Sequence, residues 1–204
     1  MKKDWQAHLT EITGTDRALW SEGRVFAGID EAGRGPLCGP VAAACVVMPP
    51  EPLLLYVDDS KKLTEKRREA LYDEIMKTAV YARVALASAE EIDRLNILQA
   101  TKKAMAEAAK DAPCSLFLVD AVDSLDVRGE VRGIVHGDAL CYSIAAASLL
   151  AKVTRDRLLR EMDARYPEYG FARNKGYGTA EHIAALRRLG PCPEHRRSFI
   201  GHFV

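Results

Sequence analysis

The chain has 204 residues, 48% of them apolar, enough for one domain with a full hydrophobic core. Lysine and arginine number 29, as do aspartate and glutamate, so no global field marks a nucleic-acid binder. No run reaches the roughly 20 apolar residues of a membrane helix. Residues 1–22 lack the apolar centre of a signal peptide, and five widely spaced cysteines without a Cys-x-x-Cys pair read as reduced core thiols of a cytoplasmic protein.

Residues 1–22 form an amphipathic lead-in with Trp5, Leu9, Ile12, Leu19 and Trp20 available to pack. Residues 23–204 show no repeat, low-complexity tract or linker and are expected to be a single domain. The apolar run 25–29 has the length and β-branching of a buried strand, and the adjacent acids Asp30 and Glu31 stand at its end. Side chains alternate faces along a strand, so both acids serve one site only if the strand is ending there. Gly33, Arg34, Gly35 and Pro36 make a turn, and a second apolar run, 41–48, completes a hairpin closed by Pro49, Pro50 and Pro52. No helix opens directly after the Gly-x-Gly and no Walker lysine follows, so this is neither a dinucleotide fingerprint nor a P-loop.

Residues 57–63 read as a polar loop, with Ser60 and Thr64 as candidate N-caps for a helix over 64–79. A strand is expected over 80–87, one helix or two over 89–110, a buried strand over 114–119 ending in Asp120, and a weak strand over 132–135. From Ala139 to Tyr166 the pattern is one long helix, apolar all round at first and basic later. A glycine-punctuated loop (171–179), a helix (180–189) and the stretch Glu194-His-Arg-Arg-Ser-Phe close the chain. This order predicts a mixed α/β sheet flanked by helices. Residues 150–204 hold 11 basic and 6 acidic residues, a basic tail region against an acidic front, which fits an anionic ligand held between them.

Asp30/Glu31, Asp120 and Asp138 each place an acid at the end of an apolar element. Singly, Asp120 could open a turn and Asp138 could cap a helix. Together, four acids at one sheet edge repel strongly unless cations sit among them. Oxygen-only ligands select Mg²⁺ or Mn²⁺, and two such ions about 3.5–4 Å apart can serve both oxygens of a phosphodiester displacement.

The stretches DEAGRGPLCGPV (30–41), DDSKKL (58–63), LVDAV (118–122), GDA (137–139), NKGYGT (174–179) and HRRSF (195–199) resemble bacterial ribonuclease HII, in family order, over nearly the whole chain after residue 22. The resemblance implies a ribonuclease H-like fold with a mixed five-stranded sheet, flanking helices and a C-terminal helical segment. It implies a Mg²⁺ or Mn²⁺ site at Asp30, Glu31, Asp120 and Asp138, with Asp123 the acid to consider should Asp120 prove dispensable. The implied activity is endonucleolytic cleavage of RNA/DNA hybrids, and 5′ to single ribonucleotides in duplex DNA, leaving 3′-hydroxyl and 5′-phosphate ends. Gly33, Arg34 and Gly35 would read the ribose 2′-hydroxyl through backbone groups, and Tyr177 would stack on the following sugar. Lys61, Lys62, Arg196 and Arg197 are the candidate phosphate contacts. Type 3 ribonucleases H share many of these motifs but resemble a longer chain with an extra N-terminal domain. A metal-free hybrid-binding module on the same fold is the reading from a different class, and the presence of all four acids argues against it. The protein is expected to act as a monomer.

Overall fold

The computed structural model describes residues 4–122 and 124–204, so Asp123 lies outside the described residues. Helices α1 (Trp5–Ile12) and α2 (Gly14–Ser21) precede a five-stranded sheet built from β1 (Ala27–Ala32), β2 (Val41–Val47), β3 (Tyr81–Ala87), β4 (Leu116–Asp120) and β5 (Glu130–Ile134). The spatial order is β3-β2-β1-β4-β5: the hairpin and β3 pair antiparallel, whereas β4 and β5 run parallel to β1. The other helices are α3 (Glu65–Thr78), α4 (Ala89–Leu95), α5 (Ile97–Ala109), α6 (Gly137–Leu140), α7 (Tyr142–Arg165), α8 (Phe171–Asn174), α9 (Ala180–Leu189) and α10 (Arg197–Ile200).

Strand parity sorts the core into two layers. Ile29, Ala43, Cys45, Phe117 and Val119 face α5, where Ala104, Met105 and Ala108 pack on them. Ala44 and Val46 face the opposite way, onto Tyr142, Ala145 and Leu149 of α7 and onto Leu71 and Ile75 of α3. Here α7 crosses the sheet so closely that a Cβ built on Gly28 would lie 2.1 Å from the Ser143 carbonyl carbon. Only glycine fits beneath the helix at that point.

Two departures from the sequence reading bear on the site, and one choice that the sequence left open is decided. Strand β1 runs on to Ala32, because β2 continues the ladder to the Ala32–Ala42 pair, so Asp30 and Glu31 lie within the strand. The helix expected from Ala139 is broken at Cys141, which is extended (φ −135°). The cause is distant in sequence: buried Asp16 of α2 accepts from the Tyr142 and Ser143 amides, both at 3.0 Å, and so caps α7. The span 89–110 divides at Asn96, whose left-handed backbone (φ 68°) ends α4 while its side chain caps α5 by accepting from the Gln99 amide at 3.1 Å.

Candidate active site

The parallel pairing of β1 with β4 sets the site. Ile29 lies opposite Val119, and one residue further along each strand stand Asp30, two residues before the end of β1, and Asp120, the last residue of β4. Asp138 arrives from the first turn of α6, behind the left-handed His136 (φ 59°). One carboxylate oxygen from each of Asp30, Asp120 and Asp138 lies within 4.8 Å of the others.

Glu31 points to the opposite face by parity, but its position near the end of β1 lets the carboxyl line the same cleft as Asp30. Its Oε1 faces Arg34 Nη1 at 3.4 Å, while Oε2 is buried without a hydrogen-bond partner. An orphaned buried carboxylate oxygen is costly unless a cation or proton completes it.

Burial and then the neighbouring negative charges, first Glu31, hold the Asp30 carboxyl well above the usual range. Burial also raises Glu31 and Asp120, with the charges of Asp120 and Asp138 respectively adding to it. The Asp120 carboxylate accepts from the Gly137 amide at 2.9 Å, which ties the end of β4 to the start of α6. Carboxylates crowded at this cost, and offering oxygen donors alone, fit a hard divalent cation such as Mg²⁺ or Mn²⁺.

A cleft of about 320 Å³ opens over these acids, lined by Asp30, Glu31, Asp120, the 32–35 turn, Ser60, Lys61, Ser148, Lys152, Arg155 and Tyr177. Ser60 is not a helix cap; Thr64 caps α3, and Ser60 instead pairs with Ser148 (Oγ to Oγ 3.1 Å), whose hydroxyl pulls the Asp30 pKa back down in part. Lys61 reaches Asp138 at 3.2 Å. Burial weakens its charge, but Asp138, Asp59 and Asp30 outweigh that and raise its pKa.

Ser148, Lys152 and Arg155 were not singled out from sequence. Their spacing of four and three residues is the signal that was available: a polar stripe on an otherwise apolar helix face. Lys152 is held by buried Asp156 at 2.7 Å, and burial lowers its pKa despite that partner.

The glycine turn is clamped by two buried arginines. Gly33 has φ +96°, and a Cβ there would stand 2.0 Å from Arg155 Nε, so the position excludes any side chain. Arg155 donates to the carbonyls of Pro40, Lys175 and Cys38 at 3.0, 3.0 and 3.1 Å, joining the hairpin loop to the loop before Tyr177. Arg196 is 0% exposed and donates to the carbonyls of Gly39, Arg34, Pro36 and Gly33 at 2.9, 2.9, 2.8 and 2.6 Å. The expectation that Arg196 touches phosphate is therefore replaced, because its guanidinium is enclosed and spent on backbone. Arg197 is exposed on α10. Lys62 turns away from the cleft toward Asp58 and Asp59, at 3.9 and 4.0 Å.

Tyr177 is 49% exposed at the rim, and a Cβ on Gly35 would lie 3.6 Å from its ring. The structure therefore gathers Asp30, Glu31, Asp120, the glycine turn, Lys61 and Tyr177 around one cleft, sets Asp138 beside Lys61, and encloses Arg196 away from it.

The ribonuclease HII family model matches residues 27–202. Ribonuclease HII of Desulfitobacterium hafniense (strain Y51) is 50% identical over 206 residues, covering 97% of this chain and 79% of that protein. Ribonuclease HII of Xanthobacter autotrophicus is 55% identical over 187 residues, covering 90% of this chain and 75% of that one. Among solved structures, ribonuclease H2 from Pyrococcus horikoshii OT3 superposes with a TM-score of 0.71 at 27% identity, covering 85% of this chain and 93% of the other. The family model over residues 27–202 and relatives about half identical over most of the chain, together with the carboxylate cluster on a ribonuclease H-like sheet, place this chain in the ribonuclease HII family of metal-dependent endoribonucleases.

Proposed function

We propose that the protein hydrolyses the RNA strand of RNA/DNA hybrids and incises duplex DNA on the 5′ side of a single ribonucleotide, leaving 3′-hydroxyl and 5′-phosphate ends. The observation that carries this is the convergence of three carboxylate oxygens within 4.8 Å beside a glycine turn open to the same cleft. Asp30, Glu31, Asp120 and Asp138 would hold Mg²⁺ or Mn²⁺. Two such cations, when bound, supply positive charge at the attacking and leaving oxygens of the phosphodiester.

The remaining roles belong to the chain itself. Lys61, exposed on its 3₁₀ turn (Ser60–Lys62), and Lys152, held by Asp156, present ammonium groups toward the cleft and would take phosphate oxygens beside the scissile bond. The turn over Gly33, Arg34 and Gly35 offers backbone groups to the 2′-hydroxyl, the atom that separates RNA from DNA. The Tyr177 ring would stack on the sugar that follows. Action as a monomer belongs to the same reading, and five free cysteines suit the reducing cytoplasm.

The test is incubation with a DNA duplex carrying one ribonucleotide, in Mg²⁺, in Mn²⁺ and in chelator, with the ends mapped by ligation and phosphatase sensitivity. Cleavage on the 3′ side of the ribonucleotide, or undiminished cleavage in chelator, would overturn the proposal.

A further inference from the structure

Beneath α9 and the C-terminal segment lies a buried polar chain that no step above uses. His182, 0% exposed in the first turn of α9, places Nδ1 2.9 Å from the Tyr177 carbonyl oxygen. Its Nε2 lies 3.0 Å from Nε2 of His195, which is 2% exposed, and His195 Nδ1 faces the Cys192 amide and thiol, both at 3.1 Å.

The hydrogens follow from the ends of the chain. A carbonyl only accepts, so His182 Nδ1 carries a proton and donates to Tyr177. A backbone amide only donates, so His195 Nδ1 is a bare acceptor. His195 Nε2 must then donate to His182 Nε2, and both rings are neutral. Burial pushes both pKa values down, His195 to about 4 with the neighbouring His182 adding to it. The aromatic rings of Tyr169 and Phe171 enclose the pair, with Phe171 5.4 Å from His182 and Tyr169 5.0 Å from His195 between centroids.

The same segment touches the other half of the site. His195 bridges to Cys38, the Arg196 amide donates to the Leu37 carbonyl at 2.9 Å, and the Arg196 side chain clamps the glycine turn. One short stretch thus holds the turn directly and Tyr177 through two imidazoles.

We propose that His182, braced by His195, is a positioning residue that fixes the Tyr177 ring relative to the Gly33–Gly35 turn, so that selectivity for an isolated ribonucleotide depends on this buried histidine pair. The inference rests on the reading of Tyr177 as the sugar-stacking residue. A misplacement of about 1 Å at such a site costs up to roughly a hundred-fold in rate.

The experiment measures kcat/KM on a single-ribonucleotide duplex and on a long RNA/DNA hybrid for His182→Leu, His182→Asn, Tyr177→Ala and the His182→Leu/Tyr177→Ala double variant. Asparagine places an amide nitrogen near the former Nδ1 and keeps a donor for the Tyr177 carbonyl. The expected result is a roughly ten-fold fall in the single-ribonucleotide to hybrid ratio for His182→Leu, substantial recovery in His182→Asn, and no further fall when His182→Leu is added to Tyr177→Ala.

Equal losses on both substrates would make the pair merely structural and overturn the proposal. If Tyr177→Ala lowers the ratio and His182→Leu does not, the proposal alone falls. If Tyr177→Ala leaves the ratio unchanged, the Tyr177 reading falls and this proposal with it.

Discussion

Arg196→Lys separates a brace from a phosphate contact. The arginine spreads its donors over four carbonyls, and two of these bonds, to Gly39 and Pro36, are fully buried. Its pKa is lowered by burial and by Arg155, yet only to about 10, so the group is charged at neutral pH. Lysine keeps the charge but donates from a single point and cannot span that fork. Water can reach the partly exposed carbonyls of Gly33 and Arg34 but not the two buried ones. Leaving a buried acceptor unpaired costs about 1–3 kcal/mol, so losing two should cost about 2–6 kcal/mol, a large share of a typical stability of about 5–15 kcal/mol. Urea unfolding in chelator should show a lower midpoint, while the salt dependence of hybrid binding should keep its slope. An unchanged midpoint together with weakened hybrid binding would refute this reasoning and return Arg196 to the phosphate, where lysine keeps the charge and hence the slope.

Asp120→Asn should reduce cleavage below detection while the melting temperature in chelator holds or rises, since the amide keeps an oxygen for the Gly137 N–H and removes one charge from a repelling cluster; calorimetry and cleavage on one preparation check both, and an active variant sinks the assignment. Lys61→Met should make the log–log salt dependence of hybrid binding shallower by about one, whereas Lys62→Met, outside the cleft, should not; identical slopes would remove Lys61 from the phosphate. His195 has a folded pKa of about 4 against an ordinary 6.5, so the unfolded chain binds the extra proton between those values. Its contribution is complete above about pH 6.5 and is lost as pH falls toward 4, by up to about 3 kcal/mol. Unfolding curves across that window should be flatter for His195→Asn than for the parent protein, and parallel curves would count against a buried neutral imidazole.

The sequence by itself determined which residues are the candidates, the four acids, the glycine turn and the tyrosine, because each sits in a short motif whose residue types can be read locally. It also determined most elements, through apolar periodicity and caps such as Thr64. Only the tertiary structure decided what depends on non-local partners. The adjacency of Asp30 and Asp120 is set by the parallel register of strands about ninety residues apart. The break before α7 is imposed by Asp16, 126 residues from Tyr142, and no local signal in 137–166 announces it. The 148–152–155 stripe acquires meaning only once α7 is laid across the cleft. Arg196 illustrates the physical reason most sharply. An arginine in a basic stretch looks like a phosphate ligand until burial is known, and burial is a property of the packed chain. Here the packing encloses its guanidinium among carbonyls that approach it only after the hairpin loop and the C-terminal segment have met.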